Sequence, residues 1–274
     1  MDFLKLMRQS PLSARIGLAI VLLNLLAALL APVIAPYGET EIVADVWLSA
    51  SWDHPLGTDH LGRDLFTRVM YGARNTITIA FVTTLLSFII GSMMGFMAAA
   101  TGGWADLIIS RIVDILMAFP TLIFALMALS VVGTSVMSLI GVIAVLDSTR
   151  VFRLSRAVAM DITVMEFVEA ARLRGEGILW VMRKEILPNA MPPLVAEFGL
   201  RFCFVFLFIA SLSFLGLGIQ PPTADWGGMV RENAGAITFG IMTPLWPAGA
   251  IALLTVGVNL IVDWFLKIAS GLKD

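Results

Sequence analysis

The sequence predicts an all-α polytopic membrane protein with six transmembrane helices. Three observations carry that expectation. The chain is 59% hydrophobic and only 14% charged, with a mean hydropathy of +0.93. Soluble domains are roughly 45–50% apolar and about 25% charged, so apolar surface on this scale needs lipid as its solvent. The apolar residues fall in runs near the length of about 20 that a bilayer-crossing helix requires. The basic residues, finally, are divided unequally between alternate loops.

The first run, about Arg15–Ala35, follows "MDFLKLMRQSPLSAR" and ends in "APVIAPYG". It is longer than the apolar stretch of about 7–15 residues in a secretory signal, so it reads as a retained helix rather than a cleaved leader. The second run is about Thr76–Ala100. The third, about Leu107–Val132, contains Pro120, which neighbouring helices can accommodate by satisfying the freed carbonyl. The fourth starts near Ser135, and its apolar stretch ends at Asp147, with Arg150, Arg153 and Arg156 beyond. It is either a short span or a long helix emerging into water, and the second reading is preferred. The fifth is about Met191–Leu217 and the sixth about Pro244–Ile268. Residues 1–74 form a first unit, one helix and an outer loop. Residues 75–274 form a core of five helices.

Lysine and arginine concentrate on the cytoplasmic side of membrane proteins. With the N-terminus placed there, 13 of the 18 basic residues, Lys5, Arg8 and Lys273 among them, fall on the cytoplasmic side. Four (Arg63, Arg68, Arg74 and Arg231) fall opposite, and Arg201 lies within a span. Both termini are therefore expected in the cytoplasm, along with the loop between the fourth and fifth spans.

That loop holds "EAARLRGEGILWVMRKEILPN", Glu169 to Asn189. Phe167, Ala170, Ala171 and Leu173 can supply a small apolar face; Glu169, Arg172, Arg174 and Glu176 supply a polar one. Gly175 and Gly177 can take positive φ and end a helix. "ILWVMRKEIL" reads as a second, interfacial helix, with Trp180 at headgroup level, and Pro188 as the start of the next helix. On the residues alone, an amphipathic connector and a docking element for a cytoplasmic partner stand equally open.

The same segment resembles the EAA signature of ABC-importer permeases: EAA, three residues, Gly, then a spacer ending in Leu-Pro. Glu169, Ala170, Ala171, Gly175, Leu187 and Pro188 match it. Glu176-Gly177 departs from the Ala-Ser that many relatives carry. "HPLGTDHLGRDLFTRVMYGARNT" (54–76) and "SLSFLGLGIQPPTADWGGMV" (211–230) resemble segments of the peptide/nickel class of these permeases. The resemblance covers nearly the whole chain and is to the second permease subunit of a dipeptide/oligopeptide-type importer.

It implies a type I importer permease fold in the bacterial inner membrane. It implies a coupling helix at about 166–187, with Phe167, Glu169, Ala170, Ala171, Arg172 and Gly175 docking on an ATPase subunit. The implied partners are a homologous sister permease, two cytoplasmic ATPase subunits that bind ATP and Mg, a periplasmic solute-binding protein and membrane lipid. The cargo would be di- or oligopeptides, with nickel, glutathione, opines or oligosaccharides as alternatives. No nucleic-acid partner is expected at a net charge of −2.

Nothing in the sequence supplies catalysis. It has no phosphate loop, no H-E-x-x-H and no G-x-S-x-G. One cysteine, Cys203, excludes an intrachain disulfide. His54 and His60 lie among Asp53, Asp59 and Asp64; they read as turn-shaping residues, with Arg63 and Asp64 in local ion pairs, rather than as a metal site. Residues 221–235 read either as a short outer element that meets a binding protein or as a plain surface loop.

Ionisable residues inside a membrane usually face an interior or a cavity. Asp114, Asp147, Glu197, Arg201 and Asp263 are of this kind. Glu197 and Arg201 are spaced for an i,i+4 pair. With Asp147, whose nearby opposite charge is Arg150, they are candidates for the translocation pathway. A gradient-driven carrier is the rival class; it would show internal repeats, and none is visible.

Overall fold

The computed structural model describes residues 10–269. Lys5, Arg8 and Lys273, used above for orientation, lie outside the described residues. Among the described residues the only β-pairing is two isolated bridges, Ile42 with Arg63 and Thr58 with Asp64. The rest is helix and loop.

Helix α1 covers Leu12–Ile34 and α2 covers Leu65–Thr101. Next come α3 (Gly103–Ala118), α4 (Thr121–Val132) and α5 (Val136–Thr163). Then follow α6 (Glu166–Leu173), α7 (Ile178–Phe214), α8 (Trp226–Asn233) and α9 (Leu245–Ala269).

The centre of the bundle is α2 against α5. The two run parallel: Ser87 meets Asp147, Gly91 meets Ser148 and Val151, and Gly95 meets Phe152 and Arg156. The glycines make this possible. A Cβ on Gly91 would stand 2.6 Å from the Ser148 carbonyl oxygen and 2.7 Å from Val151 Cβ. Between helices in lipid there is no hydrophobic gain from association, so small residues that admit close backbone contact take its place. Helix α7 packs across both; Phe198 sets its ring edge-on to Phe81 and Phe88 at 5.9 and 5.1 Å. Helices α1 and α9 pair antiparallel through Gly17 and Gly257. Loops 35–64 and 215–244 therefore gather at one end of the bundle. The turn at Gly102 and the segment 164–177 gather at the other.

Among the described residues four helices, α1, α2, α7 and α9, are long and apolar enough to cross a membrane. The expected third span is not straight. It is two helices, α3 and α4, bent by 92° at a break around Pro120; the pair makes five if it counts as one broken span. Pro120 ends the intrahelical ladder and becomes the N-cap position of α4, uncapped by any side chain. The expected fourth span is one helix of 28 residues, about 42 Å long, but Asp147, Arg150 and Arg153 in its first five turns keep it from passing as a plain lipid-crossing helix. The six expected spans thus resolve into four, plus a bent pair and a charged helix.

Pro188 does stand in the first turn where regular α-helix resumes at Leu187, as expected, but no break separates it from what precedes. Helix α7 runs unbroken from Ile178, with one π turn at Met182–Ile186 in which the Leu187 N–H bonds back to Met182 O. Pro188 has no N–H for the carbonyl four residues back, and the wider turn just upstream is where the ladder changes register. The expected coupling unit of about 166–187 is therefore α6 alone, a turn, and the beginning of a long helix.

Candidate functional site

The charged segment is built from a short helix with a defined stop. Helix α6 opens with Glu166 and Glu169 in its first turn and closes with Arg172 in its last, an order that suits the helix dipole. It ends in a Schellman arrangement: the Gly175 N–H bonds to Arg172 O at 2.9 Å and the Glu176 N–H to Ala171 O at 3.2 Å. Gly175 takes φ +85°, and nothing stands within 4 Å of where its Cβ would be. The glycine is thus required by backbone conformation, not by space. Gly177, by contrast, has φ −73° and simply begins α7.

Burial divides the apolar residues of α6 and removes Ala171 from the expected docking set. Val168 and Ala171 are fully buried, while Phe167, Ala170 and Leu173 are exposed, Leu173 at 82%. The inner pair joins an apolar cluster with Phe96 of α2, Val151 and Ile162 of α5, and Val181 and Ile186 of α7. Arg172 reaches the end of α2, donating from Nη2 to Ala100 O at 3.2 Å. Glu169, Ala170 and the flanking Val164, Leu173 and Leu179 remain outside. The helix is therefore seated on three long helices and presents a mixed apolar and charged outer face. Beside it, Arg156 clamps Asp106 with Nε and Nη2 at 2.5 and 2.6 Å, tying α5 to α3.

The second expected group also comes together. Glu197 and Arg201 form their i,i+4 pair at 2.8 Å, in a geometry that falls short of a hydrogen bond. Asp147 lies beneath them, 2% exposed, accepting from Ser87 Oγ at 2.8 Å and from Arg201 Nη1 at 3.5 Å. Arg150 joins from α5, with Nη1 3.9 Å from Asp147 Oδ1. Both guanidiniums lie over the Phe204 ring, at 4.5 Å for Arg150 and 5.3 Å for Arg201. Asp114 instead pairs with Arg153 in the open, and Asp263 is exposed.

The opposite end holds a network that the linear sequence only half disclosed. Arg63 Nε donates to Asp59 Oδ2 at 2.7 Å, and Arg68 Nε lies 3.3 Å from the same oxygen. Glu232 of α8 approaches Arg63 at 3.4 Å and Arg68 at 3.5 Å. All four are buried or nearly so. His54 Nδ1 lies 2.9 Å from Asp64, which also caps α2 by accepting the Thr67 N–H. His60 lies beside Glu232 instead, so the two histidines serve different partners. Burial holds the His60 pKa below the ordinary histidine value, against the pull of Asp59 and Glu232. Among the described residues no three His, Cys, Asp or Glu converge as a metal site would. Residues 221–235 are no plain surface loop: Trp226, Met229 and Asn233 are buried, and Asn233 Oδ1 accepts from the His60 N–H at 2.9 Å.

This architecture has relatives. Residues 87–270 match the family described as binding-protein-dependent transport system inner membrane component. The chain is 34% identical over 263 residues, 95% of its length and 84% of the relative's, to the dipeptide transport system permease protein DppC of Alkalihalophilus pseudofirmus. It is 35% identical to the di/tripeptide transport system permease protein DppC of Pseudomonas aeruginosa, covering 94% of this chain and 85% of that one. In fold it resembles a chain of the MetNI methionine ABC transporter in inward-facing conformations, at TM-score 0.58 and 20% identity, covering 76% of this chain and 97% of that one. The chain belongs to the family of inner membrane components of binding-protein-dependent transport systems, and is the non-catalytic permease of such a system.

Proposed function

We propose that this permease carries di- and tripeptides, or close chemical relatives, across the bacterial inner membrane, and that α6 is its coupling helix. The observation that carries the cargo is the 34–37% identity, over nearly the whole chain, to permeases named for dipeptides, di/tripeptides or peptides. The end of the bundle that carries α6 is cytoplasmic in this reading, in keeping with the bias of basic residues, and both termini are there too. Two ATPase subunits holding ATP and Mg dock on this chain and on a homologous sister permease. A periplasmic binding protein delivers the peptide at the opposite end.

The geometry supports the following mechanism. The exposed side of α6, with Phe167, Glu169, Ala170 and Arg172, meets the ATPase. Exposed apolar residues rimmed by charge are what such a contact uses. The buried side, Val168 and Ala171, transmits displacement to α2, α5 and α7 at once, because a packed interior shifts rather than deforms. Gly175 ends the helix and separates it from α7, so α6 can move as a unit. Two global states, biased differently by nucleotide, then alternate access. Glu197 and Arg201 line the pathway, with Asp147 buried beneath them as their support, on a face too polar for lipid.

The test is uptake of labelled alanyl-alanine by a strain lacking this chain. Wild-type chain restores ATP-dependent uptake. The Glu169→Lys variant, present in the membrane at the same level, restores less than about a tenth of it, equivalent to at least about 1.4 kcal/mol of lost coupling. Uptake that does not depend on this chain would contradict the reading.

A further inference from the structure

The charge cluster of α5 and α7 contains two cations, Arg150 and Arg201, and two anions, Asp147 and Glu197, and these cancel. They are not equally committed. Asp147 is buried, with Ser87 and both arginines around it. Arg201 is engaged by Glu197 and Asp147 and lies on Phe204. Arg150 is different. Its side chain is 33% exposed, and of a guanidinium's five N–H donors one alone meets an acceptor at hydrogen-bond distance, from Nη2 to Thr121 Oγ1 at 3.3 Å. Its Nη1 is turned inward, 3.9 Å from Asp147 Oδ1, too far for a hydrogen bond. The Nε and the second Nη2 hydrogen have no partner among the described residues. Glu197, 25% exposed, meets Arg201 through Oε1; its Oε2 has no partner among the described residues.

A guanidinium with so many idle donors is costly in lipid and reasonable only beside water or a ligand. The Phe204 ring lies 4.5 Å from the guanidinium; Nε and the Nη2 hydrogen not given to Thr121 are the donors left for a carboxylate. Because the cluster is already neutral, a lone anion or cation would unbalance it. A solute bearing both charges would fill both open valences and leave the balance unchanged.

We propose that Arg150 and Glu197 form a reading station for zwitterions: a substrate carboxylate against the free edge of Arg150, and its ammonium against Glu197 Oε2. This deepens, and rests on, the peptide reading above. It makes Arg150 a specificity residue of the pathway, and it disfavours uncharged sugars at this point.

The test uses the complete transporter, with sister permease, ATPases and binding protein, in lipid nanodiscs and liposomes. Wild-type liposomes are first assayed for ATP-driven import of alanyl-alanine; failure there sinks the peptide reading itself. With import established, phenylglyoxal modification of Arg150 is followed by mass spectrometry on the wild-type complex during turnover. Alanyl-alanine is expected to slow modification at least about fivefold, and N-acetyl-alanine amide, which has neither charge, to leave the rate unchanged. Equal rates with and without the dipeptide would overturn the proposal, as would an Arg150 that the reagent never reaches. In parallel, Arg150→Gln is expected to lower dipeptide import at least about tenfold and Arg150→Lys to recover part of it. Full import by Arg150→Gln would also overturn it.

Discussion

At the residue scale the buried charges are the most exacting feature of this protein. Arg63 and Arg68 are 4% and 1% exposed at the side chain, and each leans on Asp59 and Glu232. Removing one partner of such a set leaves an uncompensated buried charge, which typically costs about 3–5 kcal/mol. Glu232→Ala is therefore expected to lower stability by about that amount, read as thermal unfolding in detergent. Arg153→Ala, which breaks an exposed pair with Asp114, is expected to cost under about 1 kcal/mol.

His60 adds a pH dependence to the same network. It faces Asp59, Glu232, Arg63 and Arg68, and burial lowers its pKa in the folded state. The unfolded chain thus binds the proton more readily. The contribution of neutral His60 is complete above the ordinary value of about 6.5 and declines as pH falls below it, toward the lowered folded value. Intrinsic amide exchange slows over this range, so the readout is the protection factor: in residues 47–62 it should fall between pH 7.5 and pH 5, and His60→Asn should remove much of the fall. The pair four apart, Glu197 with Arg201, was legible in the sequence; Arg63 was read as locally paired, and its partner four back is Asp59. Arg68 with Glu232 and Asp147 with Arg201 stand 164 and 54 positions apart, and no local pattern could disclose them.

At the element scale two glycines act by different physics, and two substitutions separate them. Gly175 sits in the left-handed region with open space around it. Gly175→Ala should cost about 1–2 kcal/mol of backbone strain, and Gly175→Asn less, since asparagine tolerates that conformation. Gly91 is in ordinary helical backbone but pressed against α5. Gly91→Ala should overpack the α2–α5 contact at about 1–3 kcal/mol. Thermal stability of the purified variants checks both. The stop at Gly175 could be read in advance because positive φ leaves a chemical signature in the sequence. The prolines could not be read so well. Pro120 bends its segment by 92°, whereas Pro188 is absorbed by a π turn, and the difference depends on what packs around each. Which apolar residues of α6 turn inward was not legible for a related reason: with alanines and larger apolar residues distributed around a helix of two turns, only the neighbouring helices decide that Val168 and Ala171, the latter expected to dock, go in.

At the scale of the whole molecule, the membrane class and most of the helices followed from composition and run length. The long charged α5 was also legible, from Asp147 and the arginines beyond it; the bent α3–α4 pair was not, because such a bend is tolerable only against other protein or water. The pair and α5 bring Thr121, Arg150 and Phe204 together on the same polar flank as Glu197 and Arg201, where a pathway shared with a second subunit would lie. The account depends most on α6 as the contact through which nucleotide-driven movement enters the bundle. Its most direct test is a crosslink. Ala170, exposed on the outer face, is replaced by cysteine in a Cys203→Ser background and paired with a cysteine in the groove of the ATPase. The account predicts a disulfide whose yield changes with ATP, and none from cysteine at buried Ala171. No crosslink from Phe167, Ala170 or Leu173, with the ATPases folded and present, would contradict it and return α6 to an amphipathic connector.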